Sequence, residues 1–310
     1  MDPIDASWRL AGKRDALQRR SMMIRAIRGF FDDRNYLEVE TPIRIPAPAP
    51  EAHIDAPSSG DWFLQTSPEL CMKRLVAAGY PGIYQISKCF REGERGLLHL
   101  PEFTMLEWYR AGGDCRTLMQ ECEALLPAVA QALGMGETIA YQGLTIALTP
   151  PWERLSVTDA FKRCASITLR EALEKDCFDE IMACEIEPRF GHGRPVFLFD
   201  YPAAHGALAR TKPSDPSLAE RFELYVGGLE LANAFAELTD EREQRTRFEQ
   251  ALRVRHAAGR VAYPMPEPFL RSLHHMPSAA GIALGLDRLA MLFTDSASID
   301  EVVTFPPESL

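Results

Sequence analysis

The sequence predicts an α+β fold: a mainly antiparallel sheet flanked by helices. Three observations carry this. Residues 84–110 alternate in two runs on either side of a charged loop, which reads as a long hairpin. Residues 222–238 do the same about Gly227-Gly228. Stretches with helical period occupy residues 13–33, 115–134 and 240–258.

Composition bounds the function. The 310 residues make one large domain or two ordinary ones. No apolar run is long enough to span a bilayer, and the first twenty residues lack the apolar core of a secretory signal. The seven cysteines are scattered, without a C-x-x-C pair, which argues against a disulfide framework or zinc ribbon and for a reducing cytoplasm. A net charge of −10 disfavours nucleic acid as the main partner.

Taken in order, residues 13–33 place Ala16, Leu17, Met23, Ile24, Ile27, Phe30 and Phe31 mainly on one stripe, and Asn35 sits where the helix stops. Tyr36 to Thr41 is a short strand closed by Pro42, which cannot donate to a ladder. Residues 43–57 are proline-rich and read as an extended, solvent-facing connection. Trp62 to Thr66 is a strand. Ser67 then serves as N-cap of a helix with Pro68 at its first position. Glu69, in the first turn, is either a helix-dipole charge or a carboxylate reaching a cationic substrate.

In the first hairpin, Phe103, Met105, Glu107 and Tyr109 share a face. A carboxylate and a phenol beside Phe and Met imply that this face lines a polar pocket. The loop concentrates Arg91, Glu92, Glu94, Arg95 and His99, groups able to hold phosphate and base edges. Residues 136–195 read as a less regular insertion packed on the main domain, with His192 a lone loop histidine. Residues 195–202 are strongly apolar and read as a central strand. In the second hairpin, Glu230, Ala232, Ala234 and Ala236 alternate with Leu231, Asn233, Phe235 and Glu237. Glu223, Glu230, Asn233 and Glu237 come close together, and carboxylates so placed raise each other's pKa unless a cation is present. Hard oxygen ligands without His or Cys point to Mg²⁺, typically held with substrate phosphates. The charged helix over 240–258 has Phe248, Leu252 and Val254 as its apolar contacts. Residues 278–285 form a small-residue strand that lets a ligand approach the backbone. Arg288 opens the next helix, where the dipole disfavours a cation, and this points to a ligand phosphate.

These pieces together resemble the catalytic domain of class II aminoacyl-tRNA synthetases. Its three signatures stand in order: the strand ending at Pro42, the Phe90-Arg91 hairpin, and Gly285-Leu286-Asp287-Arg288. Thr66 to Leu70, His99 to Glu107 and Gly227 to Leu238 resemble the lysyl branch. The likeness covers about the whole of residues 1–310 as one domain, without the anticodon-binding barrel of lysyl-tRNA synthetases. Free-standing members of that kind lysylate elongation factor P. Glu107 to Arg110, Glu230 to Asn233, and Ala283 in place of the synthetases' glycine are similar to them.

The resemblance implies an ATP-dependent ligase that activates (R)-β-lysine and passes it to a lysine side chain of elongation factor P, with Mg²⁺, as a cytoplasmic homodimer. It implies that Arg91 and Arg288 are catalytic, on the α- and γ-phosphates. Phe103 stacks on adenine, with Glu92, Glu94, His99, Leu100, Glu230 and Leu231 also at the nucleotide. Glu223 and Glu230 hold the metal. Ser67, Glu69, Glu107, Tyr109, Asn233, Phe235, Glu237, Gly281 and Ala283 form the amino-acid pocket, the Ala283 methyl favouring the β-amino isomer. Two departures bear on this. The family loop reads Phe-Arg-x-Glu, whereas here Gly93 intervenes and a one-residue shift hands the adenine contact to Glu94. Leu100 replaces the Asn common after the histidine, so a contact there is through the main chain. The alternatives are a lysyl-tRNA-type core activating α-lysine for an RNA acceptor, an asparagine-forming ligase, and a regulatory relative that binds without catalysis. The last is disfavoured by the presence of Arg91, Arg288, Glu223 and Glu230.

Overall fold

The computed structural model describes residues 10–206 and 208–310; residues 1–9, the start of the domain expected over 1–310, and residue 207 lie outside them. Helix α1 (Arg14–Asp32) buries Met23, Ile27, Phe30 and Phe31, so the expected stripe is spent on the core of this chain. Asn35 follows at φ +58°, a left-handed conformation that short polar side chains tolerate and that ends the helix.

The expected strand over 36–42 is shorter in the structure. Only β1 (Leu37–Glu38) is regular, because the chain then turns away into a small sheet of β2 (Arg44–Ile45), β3 (Ser58–Ser59) and β4 (Trp62–Leu64). The proline-rich connection is not wholly solvent-facing: Pro48, Ala49 and Pro50 are buried. Helix α2 (Glu69–Ala77) begins with Pro68 as N-cap rather than Ser67, although the Ser67 hydroxyl still accepts the Glu69 N–H at 3.0 Å.

The hairpin of β5 (Gly82–Phe90) and β6 (Glu102–Ala111) pairs Gln85 with Glu107 and Cys89 with Phe103. Helix α3 (Cys115–Ala132) is capped by Asp114. Within residues 136–195, β7 (Thr138–Tyr141) and β8 (Leu144–Ala147) pair separately, while β9 (Glu153–Ser156) joins the main sheet. Three short helices follow: α4 (Val157–Cys164), α5 (Leu169–Glu174) and α6 (Phe178–Ile181).

Strand β10 (Val196–Pro202) is not central: it lies next to the edge, between β9 and β12 (Asp215–Val226), with the short β11 (Thr211–Lys212) also on β12. Its apolarity has a different cause. Phe197 packs into the main core on one face, and Leu198 and Tyr201 pack under α4 and α6 on the other. Strand β13 (Leu229–Ala236) completes the second hairpin, whose turn residues Gly227 and Gly228 have φ of +60° and +78°. Successive positive φ values are what a tight right-twisted hairpin requires. Helix α7 (Glu241–Ala257) and α8 (Glu267–Ser272) precede β14 (Ala279–Gly285) and α9 (Leu286–Thr294). On α7, Val254 is exposed and Arg255 is wholly buried instead, donating to the carbonyls of Glu51 at 2.9 Å and Ile54 at 2.7 Å.

The main sheet runs β1-β5-β6-β14-β13-β12-β10-β9 and is antiparallel except for its two outermost pairs. One face carries α1, α3 and α9 over a core that includes Phe31, Trp108, Leu125 and Leu284. Under that core lies a buried acid, Glu121 of α3. It accepts from Tyr36 at 2.7 Å, the Trp108 indole at 2.9 Å and Arg110 at 2.9 Å. We expect Glu121→Leu to leave the phenol and indole donors unpaired and cost about 2–4 kcal/mol. Urea denaturation checks this; an unchanged midpoint would show the network to be dispensable.

Candidate active site

The opposite face of the sheet floors a cavity of about 860 Å³. Strand parity explains why β6 reaches it: Phe103, Met105, Glu107 and Tyr109 all line the cavity, while Leu106 and Trp108 point into the core. Strand β13 needs a correction to the simple alternation. Leu224 pairs with Ala232 and Tyr225 with Glu230, so Leu231 is an extra residue, a β-bulge. The bulge flips the parity, and Glu230 lines the cavity with Asn233 and Phe235 while Ala234 packs into the core; Leu231 and Ala232, at the bulge, border both.

Three carboxylates gather at the amino-acid end: Glu69 and Glu107 line the cavity, and Glu237 is buried just behind its wall. Glu107 accepts from Ser67 at 2.5 Å and Tyr109 at 2.7 Å. Burial first, then the charge of Glu69, pushes its carboxyl up to about 8. Glu69 and Glu237 both ion-pair with Lys73 of α2. Gly281 faces Tyr109 and Phe235 in register, and a Cβ there would overlap the Tyr109 ring and the Glu237 carboxylate. Ala283 lies in register between Glu107 and Asn233.

The other end carries the arginines. The Arg91 guanidinium sits 5.1 Å over the Phe103 ring and 3.8 Å from Glu94. Arg288 donates to the Glu230 carbonyl at 2.8 Å and to His99 Nε2 at 2.7 Å. Burial, then Arg288, lowers the His99 pKa, so the ring is the neutral acceptor. Gly93 at φ +80° turns the loop so that Glu94 and not Glu92 lines the cavity; Glu92 is exposed. Leu100 and Leu231 also line it. Glu223 shares the cavity face with its register partner Asn233 but is covered and does not line the cavity, accepting from Tyr201 and Tyr225 at 2.5 Å each and from Arg221.

Sequence reading missed Lys73, Arg221 and Asp287. Lys73 stands four residues from Glu69 on one helix, a spacing that signals a pair. Asp287 joins three elements: it pairs with Arg20 of α1 at 2.6 Å and accepts the Thr104 N–H of β6 at 2.6 Å, fixing the turn that carries Arg288.

A carboxylate-lined end and an arginine-lined end in one cavity suit a ligand with ammonium groups at one end and phosphates at the other. The family model for class II tRNA synthetases (D, K and N) matches residues 6–309. The chain belongs to the class II tRNA synthetases. Within that family it is 39% identical over 321 residues to a protein of Hamiltonella defensa subsp. Acyrthosiphon pisum (strain 5AT) named elongation factor P–(R)-beta-lysine ligase, covering 98% of each chain. A protein of the same name from Edwardsiella ictaluri (strain 93-146) is 39% identical, covering 97% of each chain. The lysine–tRNA ligase of Anaeromyxobacter sp. (strain K) is 38% identical over 95% of this chain but 65% of that relative. The class II synthetase is an ATP-dependent enzyme that forms AMP and pyrophosphate.

The raised Glu107 has a consequence for stability. Its unfolded pKa is about 4.3 and its folded value about 8, so the folded state holds the extra proton between them. That contribution is full below about pH 4 and lost as pH rises through about 8. Glu107→Gln is therefore expected to flatten the decline of unfolding free energy over that window by up to about 1.4 kcal/mol per pH unit. Chemical denaturation of the two proteins along a pH series measures it, and parallel curves would contradict it.

Proposed function

We propose that this protein activates (R)-β-lysine with ATP and transfers it to a lysine side chain of elongation factor P. The carrying observation is the two-ended cavity: Glu69 and Glu107 line one end, with Glu237 buried just behind it, and match two substrate ammonium groups, while Arg91 and Arg288 line the other and match a carboxylate and phosphates. Coverage of nearly the whole of both chains in the ligases named for elongation factor P supports that acceptor over tRNA.

In this reading the planar fork of Arg91 holds the α-phosphate beside the substrate carboxylate. Arg288, already braced by the Glu230 carbonyl and His99, takes the γ-phosphate. Phe103 offers its ring to adenine, and Glu94 and the main chain at Leu100 and Leu231 hold its edges. The substrate carboxylate attacks the α-phosphorus in line and pyrophosphate leaves. The acceptor amine then takes the acyl group and releases AMP. Positioning and charge stabilisation do this without a protein nucleophile.

The donor chemistry fits Mg²⁺. Burial and the charge of Glu223 raise Glu230, which leaves a carboxylate that gains from a cation. Among the described residues no group of three or more His, Cys, Asp or Glu side chains could hold a metal unaided. Glu223 and Glu230 would share it with phosphate oxygens, where it would neutralise charge on the leaving pyrophosphate. The reading also includes a homodimer through the exposed side of α1 and the segment ending at Pro42, where Met22, Leu37 and Ile43 remain exposed; sedimentation equilibrium tests it. It places the enzyme in the cytoplasm, in keeping with seven free cysteines.

Incubating the protein with ATP, (R)-β-lysine and unmodified elongation factor P should add one lysyl residue to the factor, read by intact mass. Transfer of labelled α-lysine to tRNA instead would sink this reading. In the same assay Ala283→Gly, by removing the methyl between Glu107 and Asn233, is expected to raise turnover of α-lysine relative to (R)-β-lysine about tenfold, a pocket-methyl effect of about 1–2 kcal/mol. An unchanged isomer ratio would remove Ala283 as the discriminator.

A further inference from the structure

Lys73 does not line the cavity; it is 1% exposed and lies between Glu69, which does, and Glu237, which is buried just behind the wall. It reaches Glu69, one turn before it on α2, and Glu237 at 2.5 Å, just past the end of β13. Burying an ammonium this fully is tolerable only if its charge is met, and here two carboxylates meet it. Each uses one oxygen on Lys73: Oε1 of Glu69 and Oε2 of Glu237. Both Glu237 oxygens are buried without a hydrogen-bond donor; Oε2 is met only by the ion pair with Lys73, and Oε1 lies beside Gly281. A buried carboxylate oxygen without a donor awaits one.

The charge count is then informative. A dicationic ligand that draws the proton from Glu107 would face three carboxylates, Glu69, Glu107 and Glu237, and Lys73 cancels one of those charges. What remains equals the two ammonium groups of a lysine isomer. We propose that Lys73 is a positioning residue of the amino-acid pocket, a built-in counter-ion that offsets one charge of the Glu69–Glu237 pair and aims both carboxylates, and so fits the pocket to a dicationic amino acid. This rests on the reading of the cavity as a lysine site. Its ammonium sits above its ordinary range, because Glu237 and Glu69 outweigh the burial that opposes them. Burial raises Glu237 to about 7 even with Lys73 opposing it; without that ammonium the opposition is lost, and a protonated carboxyl cannot pair with an ammonium group.

The test is pyrophosphate exchange with (R)-β-lysine in the wild type, Lys73→Met and Lys73→Arg, each across a pH series. Wild-type exchange that depends on a lysine isomer upholds the pocket reading; its absence with every isomer overturns that reading itself, whatever the variants do. Given wild-type exchange, Lys73→Met should raise KM for the amino acid about tenfold or more, leave KM for ATP within about twofold, and move the acid limb of kcat/KM to higher pH by about one unit. Lys73→Arg, which keeps the charge, should leave the acid limb in place. A Lys73→Met enzyme with the wild-type acid limb and amino-acid KM would overturn the proposal, as would equal rises in both KM values. Should Lys73→Met fail to fold, Lys73→Arg decides: an unmoved acid limb supports the counter-ion role, and a limb displaced upward refutes it.

Discussion

Carboxylates set into the floor of a sheet lose their water and repel one another, and the surroundings of Glu69, Glu107 and Glu237 answer both costs. Glu107 is met by two hydroxyls, from Ser67 and Tyr109. Glu69 and Glu237 are met by one ammonium supplied from outside the cavity wall. These partners come from α2, β6 and the end of β13, so the elements around the pocket are drawn together by the groups that make it acidic. The hydrophobic core lies on the other face of the same strands, under α1, α3 and α9. One sheet therefore separates a dry side that holds the fold from a charged side that binds.

The arginine end is built differently. Arg288 is held by the Glu230 carbonyl and a neutral imidazole, with the Glu230 carboxylate at 3.3 Å, and Arg91 lies over an aromatic ring with Glu94 at 3.8 Å. The base of Arg288 is fixed by its neighbour Asp287, which grips Arg20 and the β6 backbone. Anchoring and ligand-facing charge are thus assigned to adjacent residues of the cavity wall.

Much of this was legible in the chain. Period-two runs located both long hairpins, and the parity of β6 put Glu107 and Tyr109 on the pocket face correctly, because a regular strand has no other choice. What the chain concealed was long-range. The apolar run of β10 reads as a central strand, but α4 and α6 cover it near the edge, and burial on both faces looks the same wherever the strand lies. Lys73 looks like any helix-surface lysine until Glu237, distant in sequence, arrives beside it. Val254 and Arg255 exchange their expected places because the buried guanidinium satisfies carbonyls of a loop two hundred residues away. Periodicity reports which side of an element is apolar; it cannot report which distant polar groups need a donor.

The bulge at Leu231 gives β13 a parity of its own. Downstream of it, Asn233 and Phe235 share the cavity with Glu230 only because one residue has been counted twice against the partner strand. Between the turn at Gly227-Gly228 and Glu237 the chain therefore behaves like a reading frame. Substitutions can be absorbed one at a time, but the loss or gain of a single residue would turn every later side chain through the sheet, carrying carboxylates into the core and alanines into the site. Changes by two residues would keep the sides while sliding the register. For this strand, length is as strictly specified as composition.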